Sequence, residues 1–378
     1  MDIMTCCIHG ASSSTDTSGA VSVPIYQTAT FSHPGVGLST GYDYTRVQNP
    51  TREHLEKTLA CLEGGIDALA FASGMAALTA LMELFSPGDH LIVSNELYGG
   101  SYRLFFNLST KNGLSIERVD PADLNQLEAS FTVSTRAIFI ETPSNPTMRV
   151  SDIAAISRLA RQHNILLIVD NTFLSPYFQK PLALGADIVL HSGTKFLGGH
   201  NDALAGFLVV ADPSISERLR FIYKTTGACL APFDSWLLIR GIKTLAVRLD
   251  RQQQSAGRIA EWLQNHKKVT SVNYVGLPSH PDFELSQRQS SGYGSMISFE
   301  LDSETTARQV LERVRLILYA ESLGGVETLI TYPILQTHAD IPDEIRRSLG
   351  VTTRLLRLSV GLEHVDDLIA DLEGALRD

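Results

Sequence analysis

The pattern of apolar and polar positions between about residues 67 and 210 predicts a layered domain. Short apolar runs alternate there with longer amphipathic stretches, which is typical of a mostly parallel sheet covered by helices on both faces. The runs contain β-branched or aromatic residues and are bounded by Gly, Pro, Asp or Asn. Seven strands are therefore predicted, at 68–72, 90–94, 115–119, 137–140, 166–169, 187–191 and 205–210.

The stretches between these strands predict helices at 74–85, 101–112 and 153–163. In the first and third, apolar residues recur at the i, i+3, i+4, i+7 spacing, so each helix can cover one face of the sheet. A further amphipathic helix is predicted at 53–62. Because Cys61 lies on it, this cysteine is expected in the core.

The pattern changes beyond residue 231, where a long helical pattern with a broken apolar stripe runs from 233 to about 266. The remainder predicts strands at 272–275, 296–301 and 355–360 and helices at 305–316 and 365–376, a small α+β domain. Residues 1–45 show no sustained period, so they are expected to form an arm that stays mobile or docks on another subunit. The predicted units are 1–45, 46–240 and 241–378.

Composition and charge narrow the class of protein. The 378 residues, 44% of them hydrophobic and 19% charged, suit one or two globular domains. The formal net charge of −10 disfavours nucleic acid and anionic membranes as partners. No apolar run suits a signal peptide or a membrane span, so a cytoplasmic location is predicted. The four cysteines are too few for a disulfide scaffold and lack metal-type spacing, so no metal is predicted.

The strongest candidate for chemistry is a lysine after the predicted strand 187–191. That strand runs into Ser192-Gly193-Thr194-Lys195, followed by Phe196-Leu197-Gly198-Gly199. The turn places Lys195 at the carboxyl end of a strand, where open α/β sheets bind ligands. Lys195 is therefore the best nucleophile candidate, and the alternative is a lysine that ends a strand in solvent.

Two further strand ends suit a phosphorylated pyridine cofactor. The strand 166–169 ends in Asp170, and a carboxylate there could accept the pyridinium N–H of pyridoxal phosphate, although a turn cap is an equal alternative. At Ser73-Gly74-Met75 a strand enters a helix whose first N–H groups could hold a phosphate. Simple capping by Ser73 is the alternative there.

These elements and several motifs along nearly the whole chain resemble one family. The motifs are Gly19-Ala20-Val21-Ser22-Val23-Pro24-Ile25-Tyr26-Gln27-Thr28, Tyr44-Thr45-Arg46 with Asn49-Pro50-Thr51-Arg52, Leu97-Tyr98-Gly99-Gly100, Glu141-Thr142-Pro143-Ser144-Asn145-Pro146, Val169-Asp170-Asn171-Thr172-Phe173, Ser192-Gly193-Thr194-Lys195, Glu321-Ser322-Leu323-Gly324-Gly325, Thr337-His338-Ala339 and Arg357-Leu358-Ser359-Val360-Gly361. The sequence resembles the cysteine/methionine metabolism family of pyridoxal-phosphate enzymes, which contains cystathionine γ-synthase, cystathionine γ-lyase, cystathionine β-lyase and methionine γ-lyase.

The resemblance implies a fold and an assembly. The expected fold is an α/β fold of type I, similar to aspartate aminotransferase, with a large, mostly parallel seven-stranded sheet domain and a smaller C-terminal α+β domain. The cofactor would be pyridoxal 5'-phosphate. The assembly would be a homotetramer built as a dimer of dimers, with the arm 1–45 contacting a neighbouring subunit.

The resemblance also implies roles for individual residues around the cofactor. Lys195 would hold it as a Schiff base and then move protons between substrate carbons, Asp170 would pair with the ring nitrogen, and Tyr98 would stack on the ring and act in proton transfer. Thr172 would also bind the cofactor. Tyr44 and Arg46 would reach the phosphate from the neighbouring subunit. The remaining phosphate-binding positions are Gly74, Met75, Ser192 and Thr194.

A second set of residues would bind the substrate. Arg357 would clamp its carboxylate through a bidentate contact, which a guanidinium supplies and an ammonium does not. Glu321 would meet the distal amine of cystathionine, and Arg103 fits the pattern of enzymes that act at the γ carbon. The carboxylate pocket would be completed by Asn145, Ser322 and Thr337. No role is predicted for His191, His200 or His338, which are expected to be packed side chains.

The motifs favour a reaction at the γ carbon. Methionine γ-lyases carry a cysteine where this chain has Gly100, which disfavours that activity. The form of the motif that begins at Glu321 is similar to γ-synthases and γ-lyases and differs from the Tyr-Ser-Trp-Gly-Gly of the enterobacterial β-lyase type. Gly193 departs from the alanine of many relatives. We therefore predict γ-elimination or γ-replacement, with a β-lyase or a broad carbon–sulfur lyase as the alternative.

Two classes outside the family are disfavoured. A non-catalytic scaffold on this fold would be expected to lose Lys195 or Asp170, and both are present. A dinucleotide-binding dehydrogenase would need G-x-G-x-x-G after the first strand, and 73–77 lacks those glycines.

Overall fold

A computed structural model describes residues 1–10 and 19–377, so residues 11–18 of the predicted arm lie outside the described part. The seven predicted strands form one sheet in the order β1-β7-β6-β5-β4-β2-β3. β7 is antiparallel to both of its neighbours, and the other pairings are parallel. The strands are β1 (Asp67–Phe71), β2 (His90–Ser94), β3 (Ser115–Val119), β4 (Thr135–Glu141), β5 (Leu166–Asp170), β6 (Ile188–Ser192) and β7 (Gly206–Val210).

Alternate residues of the same strands enter different hydrophobic clusters. Leu69 of β1 packs in one cluster, whereas Ala68 and Ala70 pack in another on the opposite face. Because successive side chains of a strand point to opposite faces, both faces of the sheet are buried. Helices cover both faces, as predicted. The helices of this part of the chain are α1 (Ile3–His9), α2 (Pro50–Glu63), α3 (Gly74–Met82), α4 (Gly99–Arg103), α5 (Leu124–Ala129), α6 (Ile153–Gln162), α7 (Ser175–Phe178), α8 (Pro213–Thr226), α9 (Pro232–Ile242) and α10 (Leu245–Gln264).

Two of the predicted helices differ in the structure. The helix expected at 101–112 is α4 followed by a π-helical segment, Leu104–Ser109. The continuous helix expected at 233–266 is wrong, because the chain breaks between α9 and α10. The Gly241 carbonyl accepts bonds from the Thr244 N–H at 3.1 Å and from Arg248 Nη2 at 2.9 Å. These bonds cap α9, and the helix restarts at Leu245.

A five-stranded sheet forms the smaller part of the fold, in the order β10-β11-β12-β9-β8. Its two shortest strands were not predicted, because two or three residues show no measurable alternation. The strands are β8 (Val269–Asn273), β9 (Met296–Leu301), β10 (Leu318–Tyr319), β11 (Leu329–Thr331) and β12 (Leu355–Ser359), and the helices are α11 (Phe283–Gln289), α12 (Glu304–Arg313), α13 (Asp343–Ser348) and α14 (Val365–Leu376). The predicted large and small α/β layers are confirmed, and the unit boundaries at 45/46 and 240/241 stay predictions.

The cysteines show one contact that the sequence analysis did not include. Cys6 of α1 is bonded to Cys61 of α2, which packs against the core as expected. Cys7 and Cys229 are free thiols. Among the described residues, no helix is long and apolar enough to cross a membrane.

Candidate active site

A cavity of about 360 Å³ opens at the carboxyl edge of the large sheet, within the usual size range of small-molecule sites. It lies between this sheet and segments of the smaller part of the fold. Most of the predicted site residues line it: Gly74, Met75, Tyr98, Asn145, Asp170, Thr172, Ser192, Thr194, Lys195, Glu321, Ser322, Thr337 and Arg357.

Lys195 lies in the turn that follows β6, with its amine in the cavity. Nζ donates to Ser322 Oγ at 2.8 Å. Burial, helped by the nearby Arg357 charge, lowers the pKa of the Lys195 amine to about 8. A neutral amine, which is the nucleophilic form, is therefore accessible near neutral pH. Ser322 itself has a φ of 93°, a strained backbone conformation that is often found at functional sites.

Asp170 ends β5 at the floor of the cavity. Its carboxylate accepts the Thr172 N–H at 2.9 Å and the Thr172 hydroxyl at 2.5 Å. Burial raises the pKa of Asp170, and the Thr172 bonds oppose that rise. Thr172 Oγ1 also accepts the Ser192 N–H at 2.9 Å. The threonine therefore ties the ends of β5 and β6 together and holds the aspartate in place.

The start of α3 faces the turn after β6. The Ser73 side chain caps the helix by accepting the Ala76 N–H at 3.0 Å. The N–H groups of Gly74 and Met75 belong to the first turn, which has no partners within the helix. A Cβ at Gly74 would lie 3.2 Å from Ser192 Cβ, which is closer than an ordinary contact, so a glycine suits this close approach. The N–H groups and the Ser192 hydroxyl form a cradle that fits a phosphate group.

Arg357 of β12 is a buried cation, only 1% exposed. Nη1 donates to Asn145 Oδ1 at 2.8 Å and Nη2 to the Ser322 carbonyl at 3.0 Å, whereas Nε has no partner. No carboxylate among the described residues lies within ion-pair distance of it. Burial lowers the pKa of Arg357 to about 10. An unpaired buried charge of this kind calls for an anionic ligand.

His338 fixes the orientation of two pocket residues, a role that the sequence analysis did not predict. A carbonyl can only accept, so His338 Nε2 donates to the Asn145 carbonyl at 3.0 Å. Nδ1 must then accept the Thr337 hydroxyl at 2.8 Å. Burial, together with the Arg357 charge, lowers the pKa of His338 to about 4 and keeps the ring neutral. Thr337 therefore presents only oxygen lone pairs to the cavity.

Glu141 also lines the cavity, and the sequence motif to which it belongs predicts no role for it. Its carboxyl group accepts the Tyr98 N–H at 3.0 and 3.1 Å. The Tyr98 ring lies against Gly100, where a Cβ would be 2.5 Å from Tyr98 Cε1 and 2.9 Å from Met75 Sδ. The cysteine of methionine γ-lyases would not fit at this position without moving Tyr98.

The other predicted residues lie outside the cavity of their own chain. Arg103 pairs with Asp340 at the surface. Arg46 lies over the Tyr44 ring at 5.6 Å and donates to the Lys224 carbonyl. The action of Tyr44 and Arg46 in a neighbouring subunit, and the contact of Arg103 with substrate, stay predictions.

Phe207 explains the departure at Gly193. A Cβ at Gly193 would overlap the Phe207 ring and would lie 2.9 Å from Ala205 Cβ. The ring fills the space in which an alanine side chain would lie. Phe207 is fully buried in the core, so the turn at Gly193 packs directly against the core there.

Comparisons with known proteins agree on one family. The family model "Cys/Met metabolism PLP-dependent enzyme" matches residues 4–377. A cystathionine β-lyase of Lactococcus lactis subsp. cremoris (strain MG1363) is 48% identical over 374 residues, which is 99% of this chain and 98% of the relative. A cystathionine γ-lyase of Bacillus subtilis (strain 168) is 46% identical over 371 residues, which is 98% of each chain.

Solved structures agree as well. The cystathionine γ-lyase of Lactobacillus plantarum complexed with L-serine matches with a TM-score of 0.97 at 46% identity, covering 99% of this chain and 98% of that one. The cystathionine γ-synthase of Xanthomonas oryzae pv. oryzae in complex with cystathionine matches with a TM-score of 0.97 at 41% identity, covering 100% and 98%.

The fold and the cavity define a pyridoxal-phosphate enzyme of fold type I. The chain belongs to the Cys/Met metabolism PLP-dependent enzyme family. The predicted family, fold type and cofactor are thereby confirmed. Relatives of nearly equal identity are named as β-lyase, γ-lyase and γ-synthase.

Proposed function

We propose that the chain is a trans-sulfuration enzyme that acts on cystathionine or an O-acylated homoserine by γ-elimination or γ-replacement. The observation that supports this most directly is the placement of charge. Arg357 lies buried at one part of the cavity, and Glu321 lies where the cavity meets an adjacent open groove, since it lines both. A long amino acid with a carboxylate at one end and an ammonium at the other suits this arrangement.

The residues present fit the cofactor. Lys195 would hold it covalently, Asp170 would pair with the ring nitrogen, and the cradle of Gly74, Met75 and Ser192 would hold its phosphate. When bound, pyridoxal phosphate supplies an electron sink for negative charge at the α carbon of the substrate. Tyr98 offers the aromatic face that would pack on the ring.

The protein groups then supply binding and proton transfer. Arg357 binds the substrate carboxylate, and the Asn145 amide, whose oxygen is occupied by Arg357, presents its N–H groups to the same carboxylate. Lys195 Nζ, with a pKa of about 8, can take a proton from a substrate carbon and return it. The Ser322 hydroxyl, 2.8 Å from Nζ, keeps the amine in place between transfers.

A β-lyase is the second candidate, because several relatives of comparable identity are named as β-lyases. A substrate panel separates the two. Cleavage of cystathionine on the γ side yields cysteine, 2-oxobutanoate and ammonia, whereas cleavage on the β side yields homocysteine, pyruvate and ammonia. Dominant 2-oxobutanoate, or cystathionine formed from O-acylhomoserine and cysteine, would support the proposal. Dominant pyruvate would assign the chain as a β-lyase.

We propose further that the working unit is a homotetramer in the cytoplasm, built as a dimer of dimers. Tyr44 and Arg46 lie outside the cavity of their own chain and match positions that act across a subunit interface in the family. Tyr44 is half exposed, so the part of its ring that Arg46 does not cover can contact a second copy. Sedimentation analysis tests the assembly, and a monomer that retains full activity would contradict it.

A further inference from the structure

Glu141 is a second carboxyl group at the floor of the cavity, next to Asp170. It is the last residue of β4, and the parallel register of β4 and β5 sets it opposite Asp170. Its side chain lines the cavity although the residue is only 7% exposed. Two neighbouring buried carboxyl groups do not both ionise readily, because each charge raises the pKa of the other.

The surroundings decide which of the two keeps a proton. Asp170 accepts two close bonds from Thr172, and the nearby His191 also favours its charged form. Among the described residues, the charged groups that act most strongly on Glu141 are Asp170 on β5 and Glu96 after β2, and both are acidic. Burial, reinforced by Asp170, raises the pKa of Glu141 to about 8. The acid form of Glu141 is therefore in excess at neutral pH.

The partners of Glu141 show what it does. Its carboxyl group bonds to the Tyr98 N–H and the Ser101 hydroxyl, which begin and continue the first turn of α4. Both bonds lower the pKa of Glu141, but burial and the Asp170 charge outweigh them, and a neutral carboxyl group still offers an oxygen acceptor to each donor. An ionised Glu141 would raise the pKa of Asp170 and so favour protonation of Asp170.

We propose that Glu141 is a neutral carboxylic acid that positions Tyr98 while leaving Asp170 as the single negative charge beneath the cofactor. It acts through Tyr98 and Asp170 and is a positioning residue. The inference rests on the proposed function only for its kinetic readout. The protonation state is a property of this chain that can be measured without any substrate.

Two substitutions separate the charge of Glu141 from its hydrogen bonds. Glu141→Gln keeps the size and an acceptor oxygen but cannot ionise, so cofactor affinity, the absorption spectrum of the bound cofactor and kcat/KM should stay within about threefold of the wild type. Glu141→Leu leaves the Tyr98 N–H without a partner, so kcat/KM should fall by about tenfold or more and the cofactor spectrum should change. Glu300→Gln, at a surface ion pair with Arg354, is the matched control.

Infrared difference spectroscopy on the cofactor-free protein reads the proton directly. The wild type minus Glu141→Gln spectrum near neutral pH should contain the C=O stretch of a carboxylic acid, and the Glu300→Gln difference should not. Absence of that band, or a Glu141→Gln variant as impaired in cofactor affinity as Glu141→Leu, would overturn the proposal. If the wild type did not act on cystathionine, the proposed substrate would fail, and the infrared and cofactor measurements would still decide the role of Glu141.

Discussion

At the scale of single residues, the cavity contains a buried cation, Arg357, that is only 1% exposed. Arg357 has no acidic partner among the described residues, and its Nε lacks any acceptor. Such a group is destabilising in the free protein and becomes favourable when an anion binds. The substrate carboxylate is therefore the counter-ion that completes the site.

Replacing Arg357 with Lys tests this directly. The ammonium keeps the charge but cannot make a bidentate contact, so KM for amino-acid substrates should rise by about 10- to 100-fold with a smaller change in kcat. Steady-state kinetics measure the split. The control is Arg354→Lys. Arg354 directly precedes β12 and forms an ion pair with Glu300 outside the cavity, so this substitution should change neither KM nor kcat. An unchanged KM in Arg357→Lys would contradict the assigned clamp.

Replacing Glu321 with Ala tests selectivity. Cystathionine carries an ammonium at its far end and methionine does not. The loss of kcat/KM for cystathionine should therefore correspond to about 1 to 3 kcal/mol of transition-state stabilisation. The kcat/KM for methionine should change little. The same assay on Glu327→Ala, in the adjacent groove, is the control. Equal losses for both substrates would mean that Glu321 only supports its loop.

Sequence reasoning found most of these residues and missed others for a physical reason. Lys195 and Asp170 are visible because each follows an apolar strand, and Arg357 because it matches a motif. Glu141 and His338 belong to family-like motifs, but the sequence predicts no role for either. Glu141 lies beside Asp170 because of the register of β4 and β5, and His338 donates to the carbonyl of Asn145, which is 193 positions away in the chain. Neither contact can be predicted from the local sequence.

At the scale of elements, the structure contains the strands predicted for the large sheet, but the longest predicted helix is two separate helices. A buried strand is short and apolar, so its pattern is local. The break between α9 and α10 arises because Arg248 and Thr244 donate hydrogen bonds to the Gly241 carbonyl. Gly241 also packs closely against the backbone of Gly198, which is distant in sequence. The short β11 pairs with β12, and the two-residue β10 pairs in turn with β11, so both depend on partners that are distant in the sequence pattern.

The packing of β7 against the lysine turn predicts a paired effect. Gly193→Ala should destabilise the protein by about 1 to 3 kcal/mol, because the new methyl group overlaps the Phe207 ring. Gly193→Ala combined with Phe207→Leu should recover most of that loss. Urea unfolding of the single and double variants measures the coupling. Full additivity would show that the ring and the turn do not compete for the same space.

At the scale of the whole molecule, the cavity is built from distant parts of the chain, and the proposed assembly adds a second chain. If Tyr44 and Arg46 complete a neighbour's site, two inactive variants should complement each other. Mixing Lys195→Ala with Arg46→Ala should restore part of the activity, since some mixed dimers keep one intact site. The assay is activity after subunit exchange, proven by mass spectrometry. Exchange without recovery would exclude a shared site.

The bond between Arg357 and Asn145 spans 212 positions of the chain, and this has a consequence for biosynthesis. During translation, Asp170 and Lys195 leave the ribosome long before Arg357 is made. The groups suited to hold a cofactor are therefore present on a growing chain that does not yet contain Arg357, the residue proposed to bind the substrate carboxylate. A nascent chain therefore lacks its substrate-carboxylate site until synthesis is nearly complete.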